Sequence, residues 1–293
     1  QVAYEMGSFS PDSVYGRVFS RLAEKAYRAA DLVTVVTAGK ARKLEGLLSA
    51  DLAAKVRVVP NGLDVGFLRN EEDESLVRTY RLDEGPVCAY VGNLGLAQGL
   101  SSLLGIAAAR PNARFLLFGG GAEESLLRAE IARKGLSNVS LCGRVNERGA
   151  FTVLRRASLA YVPLVSSALT SSVPTKLYEA LGCGCPVLLA AQGDAVRVLD
   201  EVGLGRSAPP EDASALLAAF DAVLARSWTV EECRRASDLV VSRHSRQTAA
   251  EKLEELIVRE VLNGDRFAAF ADRRAVEVAR DGEGREGTAV FNG

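Results

Sequence analysis

Short apolar runs closed by glycine, proline or asparagine recur along this chain, and that rhythm limits its fold more than any other feature. The runs are Leu32–Val36, Val56–Val59, Val87–Val91, Arg114–Phe118, Val139–Cys142, Leu159–Val162 and Pro186–Ala190. They are rich in β-branched residues and nearly continuous in apolar character. Strands buried on both faces of a parallel sheet have that signature. Helical periodicity fills the gaps. Glu123 to Lys134 places Leu126, Leu127, Glu130 and Ile131 at helical spacing, and Ala213 to Ala225 repeats Leu216, Leu217, Phe220, Val223 and Leu224. One βα unit after another predicts an α/β fold with a doubly wound parallel sheet.

At 293 residues the chain has room for about two domains. Its 36 basic and 37 acidic residues leave a formal charge of −1, which argues against a nucleic-acid partner held by bulk charge. Apolar runs are too short for a transmembrane helix. Tyr4 to Asp12 is polar and unpatterned, unlike a secretory signal.

Two joints stand out. Pro60-Asn-Gly-Leu-Asp64 ends a strand in turn residues, and the acidic stretch Glu71 to Glu74 follows. The expected organisation is a first unit over 1–60, a main domain over 61–245, a helix over 246–262 and a polar tail over 263–293. The tail contains the glycine-rich Asp281 to Gly287, and a short helix is expected near Arg266 to Ala279.

Several groups invite a chemical reading and also a plain one. Cys183-Gly-Cys185 could bind metal or cycle redox state, or could be two buried thiols at a tight helix-to-strand turn. The single histidine, His244, excludes a pair of His ligands and sits in a polar stretch without an evident triad partner. Asp194, Asp200 and Glu201 read as solvated charges at a helix start. The helix expected over Val14 to Ala30 sets Arg17, Arg21, Lys25 and Arg28 beside Val18, Phe19, Leu22, Ala26 and Tyr27. It could meet anionic lipid, or lie on the surface covering a sheet edge.

Glycines collect where open α/β sheets bind ligands, at predicted strand ends. Gly92 to Gly99 follows one strand, and Gly119-Gly-Gly121 follows the next. Such loops let backbone approach a ligand and lead into helix N-termini that favour anions, although triple glycine is also ordinary turn punctuation. Neither matches a Walker A or a strict GxGxxG pattern. The strongest cluster is Ser171-Ser-Val-Pro-Thr-Lys-Leu-Tyr-Glu179. Pro174 suits a first helical turn with Ser171 or Ser172 near the cap. Lys176 then faces the positive end of the helix dipole, which makes sense if an anion shares the site. Glu179, one turn on, shares its face. A lysine for phosphate and a carboxylate for sugar hydroxyls fits a nucleotide. An exposed i,i+3 ion pair is the alternative.

With these motifs the chain resembles a family 4 retaining glycosyltransferase of the GT-B fold. The resembling segments are Ala30–Thr37, Val58–Asp64, Tyr90–Gly99, Phe118–Gly121, Leu141–Val145 and Val173–Glu179 with Gly184–Val187. They come in the family's order, and two of them look most like the branch that builds bacterial cell-surface polysaccharide. The resemblance implies one Rossmann-like donor-binding domain, preceded by a remnant of the N-terminal Rossmann-like acceptor domain. It implies retaining transfer of a sugar from a nucleotide sugar, most often UDP-linked, to a saccharide or lipid-linked acceptor. No cofactor or metal is implied. The location implied is cytoplasmic, with contact at the inner face of the membrane.

Carried over by position, Glu179 would hold the donor ribose, and Arg144 and Val145 would lie beside the base. Gly119, Gly120 and Gly121 would border the donor. The family's diphosphate-binding Arg and Lys fall here on Asn93 and Gln98, so Lys176 would carry the charge, aided by backbone N–H groups near Leu94 and Gly95. The family's first motif glutamate falls on Ser171. No catalytic residue is assigned, and His244 does not match the family histidine. A separate chain could supply the acceptor domain. A non-catalytic or split-subunit nucleotide-sugar module, or more distantly a GT-B-like epimerase, remains open.

Overall fold

The computed structural model describes residues 13–95 and 98–262. The readings for Tyr4 to Asp12, for the polar tail and for Leu96 and Ala97 of the first glycine loop lie outside the described residues.

Six parallel strands form the main sheet: β3 (Val87–Val91), β4 (Arg114–Phe118), β5 (Val139–Gly143), β6 (Leu159–Pro163), β7 (Val187–Ala190) and β8 (Gly205–Ala208). β1 (Val33–Val35) and β2 (Val56–Val58) lie outside it. The order is β5-β4-β3-β6-β7-β8. Counted within this domain it is 3-2-1-4-5-6, the doubly wound order with its switch point between β3 and β6. Alternation along each strand explains the continuous apolar runs. Val87 and Ala89 enter one core cluster with Phe118, Val162 and Leu189. Cys88 and Tyr90 enter the other with Phe115, Leu117 and Leu188. Both faces are covered by helices, so both sets of side chains must be apolar.

The sequence reading missed β8. Its Arg206 is exposed, and an edge strand of Gly-Arg-Ser-Ala carries little apolar signal.

A small lobe precedes this sheet. β1 and β2 pair in parallel, Val33 opposite Val56. Around them stand α1 (Val14–Ala29), α2 (Ala38–Glu45) and the single turn α3 (Ala50–Ala53). Among the described residues the lobe's core is Val33, Ala41 and Val56, flanked by partly buried Tyr27, Ala30, Val35, Leu44, Leu48 and Val58. The two readings of α1 meet an unexpected arrangement. Its C-terminal end packs on the lobe, while Val14, Tyr15, Val18, Phe19 and Leu22 are exposed, so the helix does not bury its apolar face on a sheet edge.

Between the lobes, Leu63 N–H donates to His244 O (2.7 Å), and Arg246 N–H donates to Leu63 O (2.8 Å). After that junction the helix Arg246–Glu260 runs back to the small lobe, where Glu260 pairs with Arg57 at 3.0 Å. The remaining helices, in chain order, are α4 (Glu74–Tyr80), α5 (Ser101–Ala109), α6 (Glu124–Lys134), α7 (Glu147–Arg156), α8 (Thr175–Gly182), α9 (Asp194–Val202), α10 (Ala213–Ala225), α11 (Val230–Arg243) and α12, the return helix.

Candidate functional site

The strand order directs attention to the carboxyl ends of β3 and β6, where a doubly wound sheet opens a crevice. Three strand-end loops and one helix start meet there.

Gly92 N–H donates to Phe118 O (2.9 Å), which brings the loop after β3 against the end of β4. A Cβ on Gly119 would lie 1.8 Å from Gly92 O, and one on Gly121 would lie 2.4 Å from Leu94 O. The triple glycine is therefore a close backbone contact between two loops. A Cβ on Gly120 would meet Arg144 Nε at 2.9 Å, so the exposed Arg144, just past β5, lies across Gly120. Its neighbour Val145 packs towards Gly149 of α7.

Lys176 reaches into this crevice from α8. Its Cε would be 2.3 Å from a Gly92 Cβ, its ammonium donates to Gln98 Oε1 (2.5 Å), and it stands 5.3 Å from the centre of the Tyr90 ring. Burial lowers its pKa, with Glu179 opposing that shift. Glu179 is also half-buried. Burial raises its pKa; Lys176 and then Arg246 counter this, and Glu147 adds to it. No N–O contact within 4.0 Å joins Lys176 to Glu179, and neither is exposed. The exposed ion pair is thereby corrected: both charges are drawn out of water without neutralising each other directly. Holding two such charges is unfavourable for the folded chain.

The start of α8 differs from its expected form. Pro174 is the N-cap residue and supplies no side-chain cap, and neither Ser171 nor Ser172 caps the helix. The first N–H groups of α8 stay open on the side of Lys176. In the β3 loop, Leu94 is buried and its N–H donates to Gly120 O (3.2 Å). That backbone group, expected to face a diphosphate, instead builds the loop. The N–H of Gly95 has no acceptor among the described residues. Asn93 O accepts from Tyr90 Oη (2.6 Å), and Asn93 Oδ1 faces Gly121.

The crevice thus gathers Asn93, Gly95, Gln98, Gly119, Gly120, Gly121, Arg144, Lys176 and Glu179. Tyr90, Arg246 and Glu147 escaped the sequence reading. Tyr90 carried a signal, an aromatic two residues before a strand-end glycine. Arg246 and Glu147 carried none, because only the fold brings them near Glu179.

The other candidates fall into place. Cys183 and Cys185 are buried thiols at the turn into β7; burial pushes Cys183 up to about 12 and Cys185 higher, so both are inert. His244 stacks on Tyr178 (5.5 Å) and meets Glu201 at 3.2 Å. Asp194 is corrected: it is buried, and it accepts from Gly39 N–H of the small lobe at 2.8 Å. Asp200 and Glu201 are exposed but close α9 rather than open it.

A doubly wound sheet with a cationic, glycine-lined crevice at its switch point is a Rossmann-like architecture. Residues 85–226 match the family model described as glycosyl transferases group 1. The chain is 24% identical over 232 residues to a probable glycosyltransferase, WbjE, of Pseudomonas aeruginosa, covering 74% of this chain and 55% of that protein. Among solved structures it is similar to HepE of Anabaena, determined in complex with UDP, with TM-score 0.71 and 19% identity over 85% of this chain and 70% of that one. It is also similar to the sucrose-phosphate synthase of Thermosynechococcus elongatus, with TM-score 0.68 and 20% identity over 82% and 60%. The family match spans 85–226, just under half of the chain, and the solved structures show a shared fold. The chain spans about half the length of the curated relative it matches.

Proposed function

We propose that this chain is the donor-binding part of a retaining glycosyltransferase that takes a sugar from a UDP-sugar and passes it to a saccharide or lipid-linked acceptor in cell-surface polysaccharide synthesis. The observation that carries this reading is the burial of Lys176 and Glu179 on one face of α8, beside the loops ending in Gly95 and Gly121. Lys176, the open N–H groups of α8 and Gly95 receive the diphosphate. Glu179 accepts from the ribose hydroxyls. Arg144 lies against the base. As the bond from the sugar to the diphosphate breaks, charge grows on the leaving oxygen. A fixed ammonium and helix-start dipoles stabilise that charge without reorganising.

The protein named as a complex with UDP shares this fold, and the WbjE relative is named a glycosyltransferase. Both support the donor reading. A cytoplasmic location, at the inner face of the membrane, suits a nucleotide-sugar donor and five free thiols. The acceptor side requires more of the first lobe than β1, β2 and their three helices provide. Either a longer polypeptide or a separate chain supplies it, and without it the chain acts as a nucleotide-sugar module.

Calorimetric titration with UDP, using UMP and GDP as comparators, tests the proposal. The expected result is micromolar UDP affinity, weaker for UMP and GDP. Lys176→Ala should weaken UDP by about 1–3 kcal/mol, the scale of a hydrogen bond to a charged group. No binding of UDP, or binding indifferent to Lys176, would remove the donor assignment.

A further inference from the structure

Asp194 is the most deeply buried carboxylate described, at 8% exposure, and it holds nothing that the donor reading uses. Its backbone N–H donates to Thr170 O (2.7 Å). Its Oδ2 accepts from Gly39 N–H in the first turn of α2 (2.8 Å), and Oδ1 lies 3.4 Å from Arg197 Nη1. One residue past Thr170, Ser171 O accepts from Thr37 Oγ1 at 2.9 Å. Thr37 is also the N-cap of α2, accepting from Lys40 N–H at 3.1 Å. One bond from the small lobe and one from α9 therefore hold residues 170 and 171 directly, and a second small-lobe bond, from Gly39, holds Asp194 itself.

The contact is close. A Cβ on Gly39 would lie 2.4 Å from Asp194 Oδ2 and 3.0 Å from Ser171 Cβ. Helix α2 has no acidic residue in its own first turn, and Asp194 supplies that charge from the other lobe. Ser171 is 1% exposed and its hydroxyl has no partner, an arrangement a polar side chain does not choose in isolation. The segment is buried because the small lobe holds it there.

That segment leads into Pro174 and the uncapped start of α8. Where residues 170–171 sit decides how the chain enters α8, and so where Lys176 and the open N–H groups point. We propose that Asp194, with Thr37 and Gly39, is a positioning residue for the diphosphate end of the donor site. It touches no donor atom, and the small lobe thereby shapes a pocket it does not line. This inference rests on the donor reading.

The test compares UDP and UMP affinities of the whole chain for Asp194→Ala, Asp194→Asn and Thr37→Val, with hydrogen exchange at residues 170–176. Asp194→Ala should lower UDP affinity roughly tenfold, one charged hydrogen bond, and UMP affinity much less. Its UDP preference shrinks and exchange at 170–176 quickens. Asp194→Asn keeps an oxygen for Gly39 N–H and should restore most of the preference. If Asp194→Ala does not fold, Thr37→Val, which removes the bond to Ser171 together with the cap on Lys40 N–H, is read by the same ratio. Wild-type chain that binds UDP, with a ratio unmoved in the folded variants, overturns this inference and leaves the donor reading standing. Wild-type chain that does not bind UDP overturns both.

Discussion

Lys176 and Glu179 each lose hydration in the fold, which lowers the pKa of the one and raises that of the other. Such groups are kept for binding rather than for stability. Lys176→Met should therefore raise stability by about 1 kcal/mol while weakening UDP binding by about 1–3 kcal/mol, a pairing that thermal melting and calorimetry would show together. Glu179 adds a pH signature. Its folded pKa is raised, so the folded chain binds that proton more tightly than the unfolded chain does. The contribution is present at low pH and is lost as pH rises through the raised value. Glu179→Gln should accordingly melt higher than wild type at pH 7, with the gain fading as pH falls into the ordinary carboxylate range. A gain that stayed constant with pH would mean that Glu179 titrates normally. The sequence showed the i,i+3 spacing of these two residues. It could not show their burial, which Ala89, Leu154 and Tyr161 on other elements help create, nor the charge of Arg246 acting from beyond the interlobe junction.

At the level of elements, the site depends on two loops touching through backbone. Gly119 has φ +152°, a conformation that side chains avoid, and its missing Cβ makes room for Gly92 O. Gly119→Ala should destabilise the domain by about 2–3 kcal/mol, combining strain with overpacking. Urea unfolding should then show a lower midpoint at unchanged slope. An unshifted midpoint would mean that the two loops are not in contact. Elements with strong apolar period were legible beforehand: β3 and β4 have the ends that were read, and α10 spans the expected Ala213–Ala225. Those settled by their neighbours were not. β8 owes its existence to pairing with β7, and α8 begins at Thr175 with no serine cap because Ser171 is held elsewhere.

The whole molecule is lopsided, a closed six-stranded domain beside a two-stranded lobe whose helix α1 leaves Val14, Tyr15, Val18 and Leu22 at 48–70% exposure. An apolar face of that kind promotes association when nothing covers it. Val18→Ser with Leu22→Ser should keep this chain monomeric to higher concentration in sedimentation, without changing UDP affinity. Identical sedimentation of variant and wild type would show the face to be covered already. How the small lobe meets the domain was not readable in the sequence, since Gly39, Ser171 and Asp194 are far apart in the chain. The polypeptide passes between the lobes twice, at Leu63 and again at Ser245, and the two passages are bonded to each other. The join is therefore a double stitch: each passage of backbone is held by the other, and neither can part there without breaking the bonds at Leu63.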